Sequence, residues 1–92
     1  MAVSSSFAPV HNSIESLGNS SIDITNYGST TVWHITNFGN VPIWYNTTAA
    51  AGKGSGGAND IILPGHDVFA TVGASYLSLY GPGGLAYVSA GN

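Results

Sequence analysis

Three histidines, His11, His34 and His66, are the residues of this chain best suited to move a proton or bind a metal. Asp67 follows His66 directly, and serine is abundant, so a Ser/His/Asp arrangement for nucleophilic attack can be written down. Neither the G-x-S-x-G elbow, which presents a serine on a sharp strand-to-helix turn, nor a comparable local signature supports it. Metal binding has as little support. The histidines never fall two or four residues apart, and there is no cysteine to complete a zinc set. A metal held between copies would draw on single histidines around a symmetry axis. The run Gly52-Lys53-Gly54-Ser55-Gly56-Gly57 has the composition of a phosphate loop but the wrong order. A P-loop places its lysine after the glycines and before a helix. The residues therefore point away from an enzyme, with no catalytic residue, no metal and no cofactor expected.

Binding chemistry is better represented. Trp44, Tyr45, Tyr76 and Tyr80 carry a large apolar body with a polar tip, suited to a sugar platform or to a protein interface. They are the candidate interface or ligand-facing aromatics. The competing role for any such side chain is core packing and cross-strand pairing. A second candidate set is Phe7, Val10, Ile14 and Leu17, apolar residues scattered through a Ser/Asn-rich start. They read as the contact points of an N-terminal arm, residues 1–20, that docks on a neighbouring molecule.

Charge is scarce. The 92 residues include one Lys or Arg and four Asp or Glu, 5% in all, against about 25% in ordinary soluble domains. Free monomers use interspersed charge to stay soluble and to keep sheet edges apart. Here Ser, Thr, Asn and Gly must cover the surface, or neighbouring chains must. The charged residues are Glu15, Asp23, Lys53, Asp60 and Asp67, which suggests strand edges without charged guards, free to pair between protomers. Nucleic acid is not an expected partner, because phosphate contacts need several Lys or Arg. Nor is a membrane, because no apolar stretch approaches the ~20 residues of a spanning helix. The start lacks the basic and apolar regions of a secretory signal.

The elements that must position these residues are strands. Alternating or β-branched runs occupy residues 22–25, 31–36, 41–46, 60–63, 68–72, 76–80 and 85–90. Between them lie Asn-Tyr-Gly-Ser, Asn-Phe-Gly-Asn, Pro64-Gly65, Gly73-Ala74-Ser75 and Gly81-Pro82-Gly83-Gly84, all turn chemistry. Pro42 belongs at a strand start or edge. In residues 76–80, Leu77 and Leu79 face one way and the tyrosines and Ser78 the other. A long Gly/Ala/Ser loop spans residues 47–59. The expectation is an all-β domain over residues 21–92, a small β-sandwich or β-barrel of about seven short antiparallel strands, preceded by the extended arm. One echo, Asn26-Tyr27-Gly28 before Trp33 and Asn37-Phe38-Gly39 before Trp44, could mark a duplicated unit with two equivalent tryptophans. It reads more simply as the repetition any β-meander shows.

From Asn37 onward the chain resembles the small β-rich virion proteins of tailed bacteriophages, of the capsid decoration (cement) type. The residues that carry the resemblance are Val41-Pro42-Ile43-Trp44-Tyr45, Leu63-Pro64-Gly65-His66, Leu79-Tyr80 and Ala86-Tyr87-Val88-Ser89-Ala90-Gly91. The resemblance implies a β-sandwich or barrel on the capsid exterior, often a homotrimer, that strengthens contacts between shell subunits. Its partners would be the major capsid protein or other virion proteins, and it would have no catalytic residue. A tail or fibre module that binds a receptor or carbohydrate is the alternative, and a tail or neck structural protein is the second alternative. With a marginal core, the chain is expected to be a weak monomer stabilised by association.

Overall fold

The computed structural model describes residues 7–47, 60–73 and 76–92. Most of the expected glycine-rich loop, Lys53 included, and the middle of the Gly73-Ala74-Ser75 turn lie outside the described residues. Eight strands follow one another: β1 (Pro9–Ser16), β2 (Ile22–Thr25), β3 (Val32–Asn37), β4 (Ile43–Asn46), β5 (Asp60–Ile62), β6 (Asp67–Thr71), β7 (Tyr76–Tyr80) and β8 (Leu85–Gly91). Seven match the strands read from sequence to within a residue or so at each end. Pro42 sits just before β4, where its missing N–H interrupts no ladder.

The strands form two four-stranded antiparallel sheets, β1-β8-β3-β6 and β2-β7-β4-β5. The pairing is nested: β1 with β8, β2 with β7, β3 with β6, β4 with β5. Two further pairings, β3 with β8 and β4 with β7, roll this long ribbon into a sandwich. That order defines an eight-stranded jelly roll. Among the described residues each sheet ends in two edge strands without a further strand partner, so the structure is a sandwich and not the closed barrel.

The turns explain why the strands stop where they do. His66 N–H donates to Leu63 O at 3.0 Å, and Gly84 N–H to Gly81 O at 2.8 Å. Each turn has Pro then Gly at its centre, with φ of +82° at Gly65 and +81° at Gly83. This is the type II turn, in which proline presets the first central residue and the second must be left-handed.

Alternation along the strands builds the core. Trp33 and Ile35 of β3, Ala86, Val88 and Ala90 of β8, Ile43 of β4, Ile62 of β5, and Leu77 and Leu79 of β7 are buried between the sheets. Leu77 and Leu79 face inward as the sequence pattern requires. Several polar residues are buried as well, Asn37 and Ser78 fully; Asn37 bonds across the sheets. Its Nδ2 donates to Val41 O (2.8 Å) and Ile62 O (2.9 Å), and its Oδ1 accepts from Gly39 N–H (3.1 Å). It joins the end of β3 to the start of β4 and to β5, across the two sheets.

The N-terminal segment differs from the arm expected over residues 1–20. Pro9–Ser16 is strand β1, paired along β8 from Ser16↔Leu85 to Pro9↔Gly91 with a bulge at Val10. The pairing continues outward, with Ala8 and Asn92 exchanging backbone hydrogen bonds of 2.9 and 3.1 Å. Beyond β1, Leu17 is 4% exposed and its backbone bonds Gly83 and Gly84. The polar composition of β1 hid it, because its inward residues His11, Ser13 and Glu15 are not apolar. An edge strand is half-covered at most, so the usual inward hydrophobic signature is not required of it. The two echoed units are not equivalent either. Trp33 lies buried on the inner face of one sheet, and Trp44 on the outer face of the other.

Candidate functional site

Strand register puts the side chains of the β1-β8-β3-β6 sheet into rows. On its outer face one row reads Ile14, Tyr87, Thr36, Asp67, and the next Asn12, Ser89, His34, Phe69. Leu85 extends the face beside Ser16. Ile14 (66% exposed) and Phe69 (59%) stand open on this face, and Tyr87 and Leu85 are also exposed. Val10 (64%) adds to its border at the bulge. Burial explains why β8 orients this way. Its small residues Ala86, Val88 and Ala90 fit against Trp33 and Ile35 inside, so Tyr87 and Leu85 are left outside.

An aromatic cluster occupies one end of the face. The His34 ring stacks on Phe69 with centroids 4.3 Å apart and planes within 12°. Phe7 packs against both, 5.8 Å from His34 and 5.6 Å from Phe69. His34 Nε2 lies 2.7 Å from Asp67 Oδ2. Ser89 sits opposite His34 in register, so the Ser/His/Asp trio does converge on one face. Among the described residues no hydrogen bond joins Ser89 to His34. The Asp67 contact and the Phe69 stack instead fix the orientation of the imidazole. Nor is there any group of three His or carboxylate residues placed to hold a metal ion among the described residues. The arrangement can bury apolar surface and donate or accept hydrogen bonds at its margin.

The sequence-derived candidates fall in different places. Phe7, Val10 and Ile14 all belong to or border this face. Leu17 does not, because it packs in the chain's own core and has no surface to offer a partner. Trp44 and Tyr80 pair across strands on the outer face of the other sheet, with ring centroids 6.3 Å apart, and Tyr76 lies on the same side of β7. Tyr45 is opposite Leu79, on the core side. Its hydroxyl pKa is raised by burial first, then by the Asp60 charge and the hydrogen bond to Asp60.

Phe69, Tyr87, Leu85 and the His34–Asp67 pair were not among the candidates. The signal for Phe69 was present: in Asp67-Val68-Phe69-Ala70-Thr71 the polar ends share a face with Phe69, so the aromatic ring must point outward with them. The His34–Asp67 pair had no local signal, because β3 and β6 are distant in sequence.

The fold places the chain in the class of eight-stranded jelly-roll sandwiches, an architecture that occurs in viral capsid and lectin domains among others. Family models, curated proteins and solved structures each return no match to the chain.

Proposed function

We propose that this chain is a non-enzymatic structural module that docks through the outer face of the β1-β8-β3-β6 sheet, as one copy among many in a larger protein assembly. The observation that carries the reading is the gathering of Ile14, Phe69, Tyr87 and Leu85 on one face, bordered by Val10. The only ionisable groups described on that face besides Tyr87 are His34 and Asp67, which face each other. Such a surface loses little by desolvation and gains roughly 25 cal/mol for each Å² of apolar area covered. Repetition over many sites strengthens a modest contact.

The particular assembly we propose is a virion, with the chain on the capsid exterior as a decoration protein contacting the major capsid protein, in trimers. The resemblance described above and the jelly-roll class support this reading; fold alone does not carry function. Immunogold labelling of particles propagated from the genome that encodes the chain tests it. Label distributed over heads is the expected result. Label confined to tails or fibres favours the tail and fibre alternatives, and unlabelled particles overturn all of them. A receptor- or glycan-binding role has one specific observation behind it, the Trp44–Tyr80 pair beside Ile61 on the opposite sheet. Glycan-array binding that disappears in Trp44→Ala would favour that role.

A further inference from the structure

β1 and β6 are the edges of one sheet, and β2 and β5 of the other. The chain has four carboxylates. They fall one to each edge: Glu15 in β1, Asp23 in β2, Asp60 in β5 and Asp67 in β6. The interior strands β3, β4, β7 and β8 contain none. This placement runs against local propensity. Aspartate is depleted in strands and favoured in turns, yet every carboxylate is in a strand and no turn holds one. Edge status exists only after the ribbon has rolled, so the pattern belongs to the folded molecule.

The two sheets are guarded in the same way. Register puts Glu15 and Asp60 on the inward side of β1 and β5, and Asp23 and Asp67 on the outward side of β2 and β6. Local bonds give some of these side chains a second role. Glu15 accepts from Ser13, Asp67 faces His34, and Asp60 accepts from the Ile61 N–H. Those bonds account for orientation, not for one carboxylate on every edge. Asp23 makes no side-chain hydrogen bond or ion pair among the described residues.

We propose that the single carboxylate on each of the four sheet edges keeps that edge from pairing with a second copy of this chain. The expectation of unguarded edges is thereby reversed. A second copy is what the carboxylates exclude, because pairing like edges brings like charges together, which is destabilising. An unrelated partner carrying Lys at the same point would be attracted instead. Natural sheets block unwanted pairing with charges placed in this way, inward-pointing ones included. In a chain so poor in charge, one carboxylate per edge is the barrier that separates a face-docked module from an open-ended β-polymer.

The test uses the full chain, in the parent and in a variant with E15Q, D23N, D60N and D67N together. Circular dichroism checks that both are folded, and sedimentation follows size over a wide concentration range. The variant should associate about tenfold or more tightly and grow without closing. A second variant keeps the test open if the fourfold change unfolds. Asp23→Asn alone alters one exposed side chain at the β2 edge. Antiparallel pairing that opposes the two residues 23 also opposes 21 and 25, so Ser21→Cys with Thr25→Cys, added to it in a chain that has no other cysteine, should then form a disulfide-linked dimer on oxidation. The same two cysteines with Asp23 intact should remain uncrosslinked. Asp23→Lys should not pair with itself but should co-sediment with the parent. Folded variants with the parent's size and no crosslinking would overturn the proposal. Growth into closed trimers alone would also overturn it, because four released edges on each copy would carry growth past so small a unit.

Discussion

Asn37 shows how much one polar side chain can do when all its bonding groups are used. Both amide hydrogens and the oxygen have partners inside the sandwich. Replacing it with Ala leaves the Val41 and Ile62 carbonyls without their donor, and each such buried group costs about 1–3 kcal/mol. Chemical denaturation of Asn37→Ala should therefore show a loss of about 2 kcal/mol or more. Tyr45 gives a prediction in pH. Its hydroxyl pKa is raised in the folded state by burial and by Asp60, so the unfolded chain releases that proton first as pH rises. The contribution is fully present below the ordinary tyrosine value near 10 and is lost as pH climbs through the folded value. Stability measured by urea titration should fall above pH 10, and Tyr45→Phe should flatten that decline.

At the scale of elements, β1 is where the structure changes the picture most. A detached arm could be removed without harm. An edge strand cannot. Deleting residues 1–20 strips β1 from β8, removes Leu17 from the core, and exposes β8, a strand without a charged residue. The truncated chain should aggregate, measured by light scattering on refolding, rather than remain a folded domain that has lost only its attachment. Leu17 and Ile14 separate the two roles of the segment. Leu17→Ala opens a cavity and should cost about 2–5 kcal/mol. Ile14→Ser changes a side chain that is 66% exposed, so its stability change should stay within about 0.5 kcal/mol. Ile14→Ser should instead weaken self-association in sedimentation if the outer face is the docking surface.

For the whole molecule, the nested pairing sets the folding problem. Only the β4–β5 pair joins strands that follow one another in sequence; β1 must find β8 from the opposite end of the chain. Loop closure has to precede the contacts that reward it, so folding should be slow, in the range of milliseconds to seconds. Stopped-flow tryptophan fluorescence can follow it, because Trp33 is wholly buried at the centre of one sheet. The open edges and the apolar outer face belong to the same scale. On the proposed reading, the molecule has one broad face for assembly and four edges guarded against uncontrolled growth.

Much of this architecture can be read from local chemistry. Side-chain alternation has a period of two residues, and the turns declare themselves through Pro64-Gly65 and Pro82-Gly83, so seven of the eight strands and the inward direction of Leu77 and Leu79 are legible in order along the chain. The scarcity of charge and the lack of any catalytic motif are properties of the sequence itself. What the tertiary structure decided is everything that depends on which strand lies beside which. It made a polar N-terminal segment into β1, turned Tyr45 toward the core while Trp44 faces out, and brought His34 to Asp67. It also determined that the strands carrying Glu15, Asp23, Asp60 and Asp67 are the edges. Alternation says that a residue faces one side or the other of its strand. Only the long-range pairing of the rolled ribbon determines whether that side is core, docking face or open edge.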